Sequence, residues 1–249
     1  MTETSPAETV LYPDLAGRVA VVTGGSRGIG AATAVALAAS GAAVAIVGRD
    51  HSAIAEVVEV IAARGGTGIG VAADCTVEAD IRALHHQVSD QLGPCDILAA
   101  FAGGDGMPVP VSAETGAHWR SVIESELTSA FLTVSAFLPD IIASPAGAII
   151  TMSSAAARQA ARSSAAYAAA KAGVIAFSRH LAAELAGKGV RVNCIAPSAI
   201  ENDKMRSRVP DDRRKELGAS FPLGRLGQPR DVAAAALFLA SSASSWITG

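Results

Sequence analysis

The chain has 249 residues, half of them hydrophobic, enough to bury a large core as one α/β domain or two small ones. Its formal net charge of −3 is spread along the sequence, which excludes the basic footprint of a nucleic-acid binder. Cys75, Cys95 and Cys194 are isolated, odd in number and without a C-x-x-C pair, so neither a disulfide framework nor a metal site is expected, and a reducing cytoplasm is the natural compartment. No apolar stretch approaches about 18 residues, so no membrane span is expected. Residues 1–16 carry Glu3, Glu8 and Asp14 without an apolar core and read as a flexible tail, not a signal peptide.

From residue 17 to 249 the pattern reads as a single domain. Strands are predicted at Arg18–Thr23, Ala43–Val47, Thr67–Ala72, Asp96–Ala99, Gly147–Met152 and Val190–Ile195. Helices are predicted near Ile29–Ser40, His51–Arg64, Val77–Leu92, His118–Ile142, Ser164–Ala186 and Asp231–Ser242. The strands are continuous apolar runs, as in a parallel sheet covered on both faces. Strand–helix alternation over the whole length implies α/β architecture: a doubly wound parallel sheet of the Rossmann type. A last edge strand is expected after Trp246-Ile247-Thr248-Gly249, so the C-terminus reads as shortened or incompletely ordered.

The first strand runs into Gly24-Gly25-Ser26-Arg27-Gly28-Ile29-Gly30, and an alanine-rich helix follows at once. Glycines let the backbone turn sharply and approach a pyrophosphate, and the helix start presents free N–H groups to the anion. Gly24, Ser26, Arg27, Gly28, Ile29 and Gly30 are therefore candidate dinucleotide contacts. The second strand ends at Val47-Gly48-Arg49-Asp50, where an acidic residue selects NAD through the ribose 2′-hydroxyl and an arginine accommodates the NADP 2′-phosphate. Arg49, with Arg27 as a second cation, favours NADP over NAD, and Asp50 is better placed as a helix cap.

Tyr167 and Lys171, at i and i+4, share one helix face. Only two tyrosines and four lysines occur in the chain. A cation beside a phenol favours the phenolate and is expected to lower the tyrosine pKa from about 10, making Tyr167 a usable acid or base near neutral pH.

Taken together, Thr23-Gly24-x-x-x-Gly28-x-Gly30, Met152-Ser153-Ser154 and Tyr167-x-x-x-Lys171 resemble the short-chain dehydrogenase/reductase family, in the compact form of its 3-oxoacyl-carrier-protein reductases. The resemblance runs from about Gly17 to the C-terminus. It implies hydride transfer between a nicotinamide cofactor and a ketone or secondary alcohol, a 3-oxoacyl thioester among the options. It also implies a homotetramer or homodimer built through the helices near His118–Ile142 and Ser164–Ala186. By the same resemblance Ser154 is the catalytic serine, Tyr167 the proton donor, and Lys171 the residue that lowers the tyrosine pKa and holds the nicotinamide ribose. Asp74 and Cys75 match its adenine contact, Ala102 and Gly103 its close approach to the cofactor, and Pro197 and Ile200 the segment that fixes the nicotinamide face.

Four departures stand out. The family's Asn-Asn-Ala-Gly is Ala100-Phe101-Ala102-Gly103, its Pro-Gly is Pro197-Ser198, and its cofactor-contacting threonine is Asn202. The fourth-helix asparagine, whose carbonyl holds a water for the lysine, is Glu126. Its carboxylate is expected to pair with Lys171, to leave its backbone to hold the water, or to face solvent. These losses motivate an alternative reading: a dinucleotide-binding sensor or scaffold with little turnover. Between Ser198 and Gly227, seven basic and five acidic residues form a lid in which Arg206, Arg208, Arg213 and Arg214 could greet a phosphopantetheine carrier or coenzyme A thioester. Asp105, in a glycine-rich turn, is a further candidate substrate contact.

Overall fold

The computed structural model describes residues 10–104 and 106–249, except for the side chain of Lys204. Asp105 and the first nine residues of the expected tail lie outside that set. Of the rest of the tail, Pro13–Leu15 form a 3-10 turn with Leu15 buried, and the Asp14 carboxylate accepts from the Ser242 N–H at 2.7 Å.

Six strands, β1 (Val19–Thr23), β2 (Ala43–Gly48), β3 (Thr67–Ala72), β4 (Ile97–Ala100), β5 (Ala148–Met152) and β6 (Arg191–Ile195), form one parallel sheet in the order β3-β2-β1-β4-β5-β6. β1, β2, β4 and β5 are buried on both faces through most of their length, which is why their sequences are continuous apolar runs. One face is covered by α1 (Gly28–Ala39), α2 (His51–Ala63) and α9 (Pro229–Ala240), which contribute Leu37, Ile54, Ile61 and Leu237 to one core. The other is covered by α3 (Glu78–Gln91), α5 (Ser129–Ala143) and α6 (Ala165–Leu185), with Leu84, Phe137, Ile141 and Leu185. Each such side chain contributes about 1.5–3 kcal/mol by leaving water.

The topology positions the site. The chain works outward from β1 to β3, then crosses back to β4 on the other side of β1. Register aligns Thr23 with Val47 on one side and Ala100 on the other, so the loops after β1 and β4 diverge from adjacent strand ends. The crevice between them is where doubly wound folds bind ligands.

The long helix expected at His118–Ile142 begins earlier and is interrupted. α4 (Gly116–Ile123), capped by the Thr115 hydroxyl, passes into a π-turn at Glu124–Thr128 before α5. A π-turn inserts an extra residue into the helical repeat, and no periodicity argument over apolar positions detects that. The run Gly116–Ala143 has the length and mean hydropathy, 1.3, to cross a membrane by composition alone. Here it packs on α3, α6, β4 and β5, with Val134, Phe137 and Ile141 buried.

Two short helices that the sequence reading left inside the lid, α7 (Asp203–Arg208) and α8 (Asp211–Ala219), complete the set. Ile247–Gly249 hydrogen-bond along β6: Gly249 N–H donates to Val192 O at 2.8 Å, and the Asn193 side chain to Ile247 O at 2.9 Å. The Arg191 guanidinium, half-buried, donates to the carbonyls of Leu239, Ala240 and Ser241 and so caps the end of α9.

Candidate active site

Tyr167 and Lys171 lie on the first turns of α6, whose start is fixed by Ser164: its hydroxyl oxygen accepts from the Tyr167 N–H at 3.1 Å. The lysine ammonium sits 5.7 Å from the tyrosine ring centroid. Ser153 and Ser154, at the end of β5, face opposite ways. Ser153 is buried and donates to Lys171 O at 2.7 Å, anchoring the helix backbone. The Ser154 hydroxyl lies on the Tyr167 phenol side, where it favours the ionised form of the phenol, and its oxygen accepts from the Ala156 N–H at 3.2 Å. Alternation along an extended segment explains the split, and it brings Ser154, Tyr167 and Lys171 into one cluster.

Glu126 is the fourth member. The π-turn turns its side chain inward, where it is 1 % exposed. Lys171 Nζ lies 2.8 Å from Glu126 Oε2 and donates to Met152 O at 2.9 Å, while Glu126 Oε1 accepts from the Gly104 N–H at 2.5 Å. Of the three expectations for this residue, the carboxylate–lysine pair is the one found.

The expected depression of the Tyr167 pKa is overturned. Burial pushes the phenol above its ordinary value, the Glu126 carboxylate pushes it further, and the Ser154 hydroxyl only partly offsets them. The lysine cation beside the phenol is matched by a counter-ion that lies far from it in the sequence.

At the head of β1, Gly24 and Gly28 have φ of +64° and +54°, the left-handed region that glycine adopts freely. A Cβ on Gly30 would lie 2.1 Å from Gly24 O, and one on Gly24 would lie 2.7 Å from Phe101 O. Backbone therefore packs on backbone around an α1 N-terminus that carries no side-chain cap, a cradle that fits a dinucleotide pyrophosphate. The Thr23 hydroxyl oxygen accepts from the N–H groups of Phe101 and Ala102 at 3.0 and 3.1 Å, fastening the β4 loop to the phosphate loop. This tethering role of the Thr23 side chain is not visible from its place in the glycine motif.

At the end of β2, Asp50 caps α2, its Oδ1 accepting from the N–H groups of Ser52 and Ala53, and its Oδ2 lies 2.5 Å from Arg27. Arg49 is exposed, with Asp74 Oδ2 at 3.9 Å. Asp74 also accepts from the Thr76 backbone and hydroxyl, which hold its carboxyl below the usual range. Burial raises the Cys75 thiol to about 11, so this cysteine is inert. Pro197 O accepts from Ala155 N–H at 2.8 Å, which sets Pro197 beside the Ser154 segment, and Ile200 bridges to Gly227.

Residues 24–249 match the family described as Enoyl-(Acyl carrier protein) reductase. The chain is 38 % identical over 236 residues to the 3-oxoacyl-acyl-carrier-protein reductase FabG of Chlamydia pneumoniae, covering 94 % of each chain. It is 38 % identical over 232 residues to the cis-4-hydroxycyclohexanecarboxylate dehydrogenase of Sinomonas cyclohexanicum, covering 93 % of this chain and 92 % of that one. Among solved structures, a 7α-hydroxysteroid dehydrogenase complexed with NADH and 7-oxo glycochenodeoxycholic acid superposes with a TM-score of 0.88 at 34 % identity, over 95 % of this chain and 92 % of that one. The chain belongs to the short-chain dehydrogenase/reductase family. It is an oxidoreductase that uses a nicotinamide cofactor and acts at a CH–OH/C=O centre.

Within this dehydrogenase/reductase frame, the lid arginines are mostly engaged. Arg206 and Arg214 converge on Glu201 Oε1 at 3.5 and 3.1 Å, Arg213 pairs with Glu216 at 2.9 Å, and Arg208 reaches Met107 Sδ at 3.3 Å. Asn202, standing for the family's threonine, caps α7 by accepting from Met205 N–H at 2.8 Å.

Gly30→Ala tests the cradle. The new methyl forces Gly24 O to move, so NADPH and NADH affinity measured by fluorescence titration should fall about tenfold or more, roughly 1.4 kcal/mol, with circular dichroism separating a local change from unfolding. Unchanged affinity for both would contradict the placement of the pyrophosphate here.

Proposed function

We propose that this protein is an NADP(H)-dependent carbonyl reductase in which Ser154, Tyr167 and Lys171 carry the reaction. The observation that supports this reading most strongly is the half-buried Tyr167 phenol, beside Ser154 and with the Lys171 ammonium 5.7 Å from its ring centroid, at the strand ends that also carry the glycine cradle. When bound, the nicotinamide supplies the hydride. The Ser154 hydroxyl donates a hydrogen bond to the substrate carbonyl oxygen and stabilises the charge that develops there. Tyr167 delivers its phenolic proton to that oxygen as the alkoxide forms. Lys171, held at Met152 O and Glu126, orients the site toward the cofactor ribose.

Gly24, Ser26, Arg27, Gly28, Ile29 and Gly30 are proposed to hold the pyrophosphate, Asp74 and Cys75 the adenine side, and Ala102, Gly103, Pro197 and Ile200 the nicotinamide side. Preference for NADP(H) follows from Arg49, exposed and only loosely matched by Asp74, and from Asp50, already committed to α2 and Arg27. The substrate is a ketone, with a 3-oxoacyl thioester the leading class because several similar proteins carry that activity in their names. A homotetramer or homodimer through α5 and α6 suits the exposed Phe131, whose ring meets Phe177 edge-on at 6.3 Å. A cytoplasmic location suits the free cysteines.

The test is consumption of NADPH and NADH against a panel of cyclic ketones, steroid ketones and 3-oxoacyl thioesters. Turnover with NADPH favoured is expected. Tight NADPH binding without turnover on any member would overturn the enzyme reading in favour of a sensor, and NADH preference would overturn the assignment of Arg49.

A further inference from the structure

The reaction as derived gives the Glu126 carboxylate no task, yet it is the most deeply placed charge in the site. Its Oε2 lies 2.8 Å from Lys171 Nζ and its Oε1 accepts the Gly104 N–H at 2.5 Å, so one carboxylate joins the catalytic helix to the loop after β4. That loop is shaped around it: Gly103 has φ +136°, and a Cβ there would stand 2.4 Å from Oε2. The same loop lies on the tyrosine, since a Cβ on Gly106 would be 3.3 Å from Tyr167 Cζ. A π-turn, costly in a regular helix, is what aims Glu126 inward.

We propose that Glu126 is a positioning residue that ties Lys171 to the Gly103–Gly104 backbone and cancels the lysine charge beside the Tyr167 phenol, reserving Tyr167 as a proton donor for carbonyl reduction. The inference rests on the reductase reading above.

The electrostatics follow from distance. A lone ammonium 5.7 Å from the ring centroid favours phenolate; with a carboxylate 2.8 Å away, the pair presents almost no net charge to the ring. Among the described residues, the groups facing Tyr167 are Lys171 from its own helix, Glu126 from the π-turn and the Ser154 hydroxyl from the β5 end. Gly106 brings only backbone from the β4 loop, and Arg208 of α7 stops at Met107. The raised Tyr167 pKa agrees with this balance. The sign is definite. A phenol with a raised pKa stays protonated to higher pH, so reduction keeps its acid into the alkaline range. Alcohol oxidation, which needs the phenolate as base, begins only at higher pH.

Tyr12→Phe leaves Tyr167 as the single tyrosine, so ultraviolet difference titration of the cofactor-free protein reads its ionisation directly, with circular dichroism monitoring the fold. Tyr167 is expected to ionise above about 10. Adding Glu126→Gln, which keeps an acceptor for Gly104 but removes the charge, should lower that midpoint by about one unit or more, and Glu126→Asp should keep it raised. In turnover, Glu126→Gln should move the alkaline fall of kcat/KM for reduction to lower pH by the same amount. Ionisation at or below about 10 in the Tyr12→Phe protein, or a midpoint and limb that Glu126→Gln leaves in place, would overturn the proposal. Should Glu126→Gln not fold, Glu126→Asn on the Tyr12→Phe background takes its place, with the same fall in midpoint expected and an unshifted midpoint overturning the proposal. A shifted titration without turnover on any ketone counts against the reductase reading alone; turnover with an unshifted titration counts against the role of Glu126 alone.

Discussion

Lys171→Met should both destabilise the protein and remove its activity. The lysine ammonium and the Glu126 carboxylate are almost fully buried, 4 % and 1 % exposed, and lie 2.8 Å apart. Removing one partner of a buried pair leaves the other charge desolvated without its counter-ion, which costs about 3–5 kcal/mol. The Gly104 N–H still reaches the carboxylate, so the lower half of that range is expected. A second change, Glu126→Gln on top of Lys171→Met, should recover most of the loss, because a neutral amide costs far less to bury than an unmatched carboxylate. Urea unfolding of the two single variants and the double variant closes the cycle. If Lys171→Met unfolds at the same urea concentration as the parent, the buried pair does not stabilise the folded protein.

Tyr167→Phe should have the largest effect on chemistry and little on structure. The ring keeps its packing beside Gly106 and the lysine ammonium; only the hydroxyl is lost. A positioned general acid contributes about 10²–10⁴-fold, so kcat for carbonyl reduction should fall by that factor while NADPH affinity stays within a few-fold. Stopped-flow turnover beside fluorescence titration separates the two. A variant that binds NADPH normally and still turns over at near the parental rate would remove Tyr167 from the mechanism.

The sheet was legible because β1, β2, β4 and β5 are short apolar runs between helices, a pattern that burial on both faces imposes. The glycine loop was legible because a Cβ at Gly24 or Gly30 has nowhere to go, a constraint that only residue identity can express. Tyr167 and Lys171 were legible as a pattern, and Ser154 through the family resemblance that their motif carries. What the sequence hid depends on side-chain direction and on long-range neighbours. The π-turn at Glu124–Thr128 has no compositional signature, so the direction of Glu126 stayed open, and with it the sign of the Tyr167 shift. The lid arginines read as free cations because Glu201, which gathers Arg206 and Arg214, is one acid among several nearby. In each case the missing quantity was a counter-charge brought in by folding.

In the proposed mechanism hydride passes between nicotinamide and a carbonyl carbon while Tyr167 supplies the proton. NADPH deuterated at the transferring C4 position, with the ketone that turns over fastest, tests it most directly. Deuterium is expected on the carbinol carbon of the product, with none lost to water, and the labelled product is expected to be lost in Tyr167→Phe. Product without the label, or labelled product formed equally by Tyr167→Phe, would contradict it.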